Sequence, residues 1–233
     1  LNQSQNSCQR CGTCCRKGGP TLHLEDRPLV EEGILPLKTL VTYRRGEPVH
    51  DPIQGRVVPL TAEIIKIRGR EGQWTCAFFD PAHQSCDIYD HRPLECRMLK
   101  CWATGDLERI YAKDRLVRKD LVAGVEGLAE LIDLHEQRCN YNAFSRLAAD
   151  YRRFGRPAAA RALNRMVGLD EDLRRLTVDK GGLDPLINDF LFGRPLGQAL
   201  SHLDLKPVRK GRRAGGAENN ASDGTAPAAS PRP

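Results

Sequence analysis

No apolar run in this chain of 233 residues approaches the roughly 20 residues that a helix needs to cross a bilayer. Nor does a positively charged segment followed by an apolar stretch open it, as a secretory leader would. These two absences read as a soluble, cytoplasmic protein with no membrane partner. Also missing are a glycine-rich nucleotide loop, a recognisable nucleophile with its base, coiled-coil heptads, and any internal repeat beyond two groups of cysteines. Composition excludes a collagen or a wholly disordered chain, since 21 glycines and 15 prolines accompany a hydrophobic fraction of 40%.

The net charge of +6 is unevenly spread. From Lys206 to Pro233 six basic residues stand against two acidic ones, a surplus of four, which leaves residues 1–205 with a surplus of only two. The Gly, Ala, Asn, Ser and Pro content of that tail cannot bury enough apolar surface to offset the entropy of ordering. A disordered basic tail is expected over 206–233. The nearly neutral body argues against nucleic acid as a partner, and its length suits one large domain or two small ones.

Nine cysteines are too few for a disulfide scaffold, and their odd number argues against a framework of bridges. Cys8, Cys11, Cys14 and Cys15 crowd the N-terminus as CxxCGTCC, while Cys76, Cys86, Cys96 and Cys101 share a second segment and Cys139 stands apart. Two residues between cysteines let a tight turn aim both sulfurs at one ion, so the eight clustered thiols read as metal ligands. Gly12 fits such a knuckle, which needs a residue tolerant of positive φ. Adjacent side chains diverge, so Cys14 and Cys15 suit two sites or one polynuclear cluster better than one mononuclear ion.

The expected metal is iron, as an iron–sulfur cluster, or zinc, with copper, a disulfide or no metal as the remaining alternatives. Cys8, Cys11 and Cys14 reproduce the first three positions of the ferredoxin run CxxCxxC, although Gly18 stands where its fourth cysteine would be. A zinc ribbon would combine two CxxC knuckles, and the second segment has none. Thiolates also suit Cu(I). His83 and His91 lie within the second segment but read as surface loop residues, with eight thiols already at hand. His135 and Cys139, at i and i+4, read as a buried core pair rather than as ligands.

The pattern CxxCGTCC, followed by CAFFD, CDIYDHRPLECR and CW, resembles the YkgJ-type cysteine-cluster family, the CxxCxxCC zinc- or iron-chelating domain, over roughly residues 8 to 102. Eight cysteines together with Ile88, Tyr89, Arg92, Pro93, Cys96 and Arg97 carry the resemblance. It implies a bacterial protein that chelates zinc or iron through Cys8, Cys11, Cys14, Cys15, Cys76, Cys86, Cys96 and Cys101. A related domain occurs in flagellin lysine methylases, but no CxxxCxxC radical motif is present here. Where the family commonly has Pro after the first cysteine of the second half, this chain has Ala77.

A tetrathiolate site carries net negative charge, so Arg92 and Arg97 are candidates to donate charge-assisted hydrogen bonds to it. Tyr89 reads as a half-buried core residue. Around the cysteines, Asp26 is expected to cap a short helix ending at Gly33, residues 55–61 and 63–68 to form short strands or a hairpin, and Trp74, Cys76 and Phe78 to alternate in a third strand. Pro93 would open a short helix carrying Cys96 and Cys101. Farther on, Leu121, Val125, Leu128 and Ile132 predict one amphipathic helix. Helices are expected also over 141–154, over 158–167 entered through Pro157, and from Asp184 to Gly193.

The expected fold is α+β, a small cysteine-rich metal-binding domain over 1–105, a helical region over 106–205 packing on it, and the tail. The expected function is metal binding, with a metal ion as partner and no protein partner assigned. Two alternatives are a metal-dependent enzyme, such as a protein methyltransferase-like protein, and a zinc-stabilised nucleic-acid binder using the basic tail.

Overall fold

Short β-branched runs broken by Gly and Pro can form only short strands. The computed structural model, which describes residues 8–70 and 72–202, has six of them: β1 (Leu40–Tyr43), β2 (Pro48–Asp51), β3 (Arg56–Pro59), β4 (Ile64–Ile67), β5 (Phe79–Asp80) and β6 (Ser85–Cys86). They pair antiparallel in three two-stranded ladders, β1 with β4, β2 with β3 and β5 with β6. The expected strands at 55–61 and 63–68 exist as β3 and β4, but not as each other's neighbours. Each pairs with an element whose short, mixed sequence gave no periodic signal. The run from Trp74 to Phe78 makes only an isolated bridge, Gly69 to Cys76, and the ladder begins at Phe79.

Ten α-helices accompany the strands among the described residues: α1 (Thr13–Arg16), α2 (Arg27–Glu31), α3 (Leu94–Met98), α4 (Gly105–Ile110), α5 (Arg118–Val122), α6 (Leu128–Arg138), α7 (Tyr141–Phe154), α8 (Pro157–Asp179), α9 (Asn188–Phe192) and α10 (Leu196–His202). The fold is α+β, as its sequence pattern suggested. The helix expected through Leu121 and Ile132 is two, because Gly127 sits at φ 79 between α5 and α6 and leaves Val125 in solvent. By contrast α7 matches its expected bounds, with the Asn140 side chain accepting from Ala143 N at 3.0 Å and Gly155 ending it at φ 62. α8 enters through Pro157 as expected but continues past Val167 to Asp179. Its buried stripe contains Asp170 and Thr177, polar residues that disguise the periodicity.

One core cluster joins residues from both segments of the chain, including Leu22, Leu40 and Ile65 with Ile132, Leu173 and Phe190. A second, with Phe144, Leu163 and Leu196, lies where α7, α8 and α10 meet. His135 and Cys139 are both fully buried. The His135 Nε2–H donates to Asp170 Oδ1 at 2.7 Å while Arg44 Nη1 donates to its Nδ1 at 3.3 Å. Burial, partly opposed by Asp170 and reinforced by Arg44, holds that imidazole below its ordinary pKa. The basic tail expected over 206–233 lies outside the described residues.

Four links bring the two cysteine segments together. The chain after the first knuckle runs along the free edge of β4, with Leu22 N donating to Ile65 O at 2.9 Å and Ile67 N to Pro20 O at 3.1 Å. Glu95 at the start of α3 accepts from Thr21 N at 2.6 Å. Asp26, expected to cap α2, instead accepts from His23 N at 2.9 Å and from Leu94 N at 2.7 Å, tying α3 to this edge. Finally Cys76 N donates to Cys15 O at 2.8 Å.

Candidate metal centre

The N-terminal knuckle turns on Gly12, at φ 73 and ψ 0, from which α1 starts. A side chain there would be strained by the left-handed backbone and would also run into the Phe79 ring. Phe79 comes from β5, so the knuckle is seated against the second segment. Arg16 closes the turn by donating from Nη1 to Cys11 O at 3.0 Å. Cys8 and Cys11 precede the turn, and Cys14 and Cys15 lie within α1 with their sulfurs 3.9 Å apart.

The second segment delivers its cysteines from four different local structures. Cys76 is bridged to Gly69, Cys86 ends β6, Cys96 lies in α3, and Cys101 follows it in a turn. Pro93 is the residue before α3 rather than within it, and the helix ends before Cys101. The backbone N–H that Ala77 has and Pro would lack donates to Arg68 O at 3.0 Å. All eight clustered cysteines line one cavity of about 370 Å³.

Burial and mutual repulsion raise several of these thiols. Cys96 and Cys76 are pushed up first by burial and then by neighbouring sulfurs, Cys76, Cys14 and Cys86 acting on Cys96, and Cys86 and Cys14 on Cys76. Cys86 is raised by burial too. In the vicinal pair the contact between the two sulfurs lowers Cys14 and raises Cys15, so the two share one proton rather than ionise together. Cys11, at the exposed rim, is lowered by its contact with Thr13. Such thiols resist ionising together unless a cation neutralises them, which is the service a thiophilic metal supplies. The donor set therefore fits zinc or an iron–sulfur cluster. Among the described residues, no group of three or more His, Cys, Asp or Glu side chains is drawn to metal-holding geometry.

Of the two arginines expected to serve the thiolates, Arg92 lines the cavity and its charge lowers Cys14 and Cys86. Its Nε donates to Tyr89 O at 2.8 Å, and its guanidinium lies 3.9 Å from the Tyr89 ring centre. Arg97 points elsewhere, donating to Glu25 at 2.6 Å and to Arg92 O at 3.0 Å. His83 and His91 are exposed and outside the cavity lining. Sequence reasoning missed Arg10, whose guanidinium is also 3.9 Å from the Tyr89 ring centre. It missed Lys66 and Glu95 on the cavity wall as well. Lys66 was detectable as a charge interrupting the apolar strand Ile64–Ile67; Glu95 gave no signal.

Residues 7–119 match the model of the CxxCxxCC family, described as a "Putative zinc- or iron-chelating domain". No curated protein and no solved structure matches the chain. Among the described residues, no helix is long and apolar enough to cross a membrane. Residues 7–119, the span that holds all eight clustered cysteines, are thus similar to the CxxCxxCC zinc- or iron-chelating domain, the resemblance that their motifs carry.

Proposed function

We propose that this chain binds iron through its eight clustered cysteines, in the form of an iron–sulfur cluster. The observation that carries the reading is the convergence of thiols from two segments, some sixty residues apart in sequence, on one cavity. A cavity of about 370 Å³ with adjacent cysteines on its wall accommodates a polynuclear centre more readily than a single tetrahedral ion. When bound, such a cluster supplies one-electron redox chemistry or a rigid covalent staple between segments. Arg92, and Arg10 on the same Tyr89 ring, offset part of the thiolate charge from the protein side.

Serine substitution of single cysteines tests the assignment. Replacing Cys14, Cys76, Cys86 or Cys96 is expected to lower the metal content of the purified chain, whereas Cys139→Ser leaves it unchanged, because Cys139 lies in the second core cluster. Metal content that is insensitive to all four substitutions would defeat the proposal. Zinc in place of iron and sulfide, lost in the same variants, would keep the ligands and replace the cluster by zinc sites.

A further inference from the structure

The helical hairpin formed by α7 and α8 carries a concentration of charge that the chain average hides. Between positions 138 and 165 the acidic side is represented by Asp150 alone. Arg138 ends α6, Arg146, Arg152 and Arg153 lie on α7 before the turn at Gly155, and Arg156, Arg161 and Arg165 follow it. Residues 1–205 have a surplus of two positive charges and this stretch alone a surplus of six, so the remainder of those residues carries a deficit of four. The positive charge is thus concentrated on the turn-side half of the hairpin, because α8 beyond Arg165 sets Asp170, Glu171, Asp172 and Asp179 against Arg174 and Arg175.

All seven arginines are exposed. Arg146 and Arg153 lie seven residues apart on the side of α7 opposite buried Phe144 and Ala148. Likewise Arg161 and Arg165 share the side of α8 opposite buried Leu163 and Val167. Asp150 pairs with Arg156 at 2.9 Å. Among the described residues no carboxylate lies within ion-pair reach of Arg138, Arg146, Arg153, Arg161 or Arg165. An ordinary solvated helix face intersperses both signs, so five exposed arginines with no carboxylate in reach are out of keeping with mere solubility.

At the tip, Phe154 is 54% exposed, with the guanidinium of Arg153 5.0 Å and that of Arg156 4.6 Å from its ring centre. We propose that this α7–α8 surface binds a nucleic-acid strand, with the arginines on phosphates and the Phe154 tip as a stacking platform. Arginine to the exclusion of lysine favours phosphate, because its planar fork makes paired hydrogen bonds and stacks on aromatic faces and bases. An anionic membrane fits less well. The apolar faces of both helices are spent mainly on the core, leaving Phe154 at the tip and Leu176 near the far end of α8 exposed, where an interfacial helix would offer a whole face. The inference does not depend on the metal.

Fluorescence anisotropy of the full chain with a labelled single-stranded oligonucleotide of about 16 mixed nucleotides tests it, across salt from about 50 to about 200 mM. Binding is expected to weaken steeply with salt. The combined Arg146→Gln, Arg153→Gln, Arg161→Gln, Arg165→Gln variant keeps good helix formers at exposed positions. It should bind at least about tenfold more weakly at the lowest salt, with the log–log salt slope shallower by up to about 3. Circular dichroism checks that it is folded. A chain ending at Leu205 should still bind, and the four substitutions should weaken it in the same way. The proposal is overturned if the full chain fails to bind at low salt, if the four substitutions leave binding intact, or if truncation alone abolishes it. Phosphatidylserine vesicles or polyglutamate binding the hairpin more tightly than the oligonucleotide would assign the surface to a membrane or an acidic protein instead.

Discussion

Replacing Gly12 by alanine tests whether the knuckle is held both by its own backbone and by the second segment. A non-glycine residue at φ 73 costs about 1–2 kcal/mol. The added Cβ would also collide with the Phe79 ring and approach Arg16 Nη1, and relieving such overpacking in a core costs about 1–3 kcal/mol more. The expected total is about 2–5 kcal/mol. Gly33 supplies the control. It has nearly the same φ, 75, but a Cβ there meets nothing within 4 Å, so Gly33→Ala should cost only the backbone part, about 1–2 kcal/mol. Urea unfolding of the metal-free chains measures both. A double-mutant cycle isolates the contact: Gly12→Ala in a Phe79→Ala background has no ring to meet, so the pair should cost about 1–3 kcal/mol less than the sum of the single changes. Equal losses for the two glycines, or strict additivity in the cycle, would refute the claim that Phe79 seats the knuckle.

Asp26→Ala should destabilise the chain by about 2–4 kcal/mol, because the fully buried carboxylate accepts from two backbone N–H groups that would be left without partners. The same variant should release its metal to a chelator faster, as α3 loses its tie to the Thr21–Asp26 edge; unchanged stability in urea would contradict this. Acidification gives a third outcome. His135 is held neutral below its ordinary value of 6.5, so the unfolded chain takes up that proton first, and stability should fall as pH drops through about 6.5. In His135→Gln that part of the slope should vanish from a pH series of urea midpoints, and an unchanged slope would count against it. Chelation should raise hydrogen exchange at residues 8–24 and 76–102 before it does so in α7 and α8. Uniform deprotection would show that the centre does not staple the two segments.

What could be read in advance followed from local chemistry. The cysteines were legible because thiols at knuckle spacing have few other uses, and Gly12 because a tight turn demands positive φ. α7 was legible because Asn140 and Gly155 mark its ends and a full apolar face runs between them. The remainder depends on partners distant in sequence. Nothing near β1 or β2 announces a four-residue strand, since each is fixed by the ladder opposite it. Asp170 breaks the apolar stripe of α8 because it serves His135, Arg174 and the Leu196 N–H. Asp26 resembles a cap but spends both oxygens elsewhere, one of them on a residue 68 positions away. The arginines around the α7–α8 turn are hidden in the net charge because acidic residues elsewhere in the body offset them.

The most direct test of the metal assignment is the iron, zinc and acid-labile sulfide content of the full chain purified without oxygen, read together with its visible absorption. The cluster assignment requires iron and sulfide in comparable amounts with a broad visible charge-transfer band, all lost when Cys14, Cys76, Cys86 and Cys96 are replaced together by serine. Iron and sulfide absent from the natural chain, or metal retained by that fourfold variant, would contradict it.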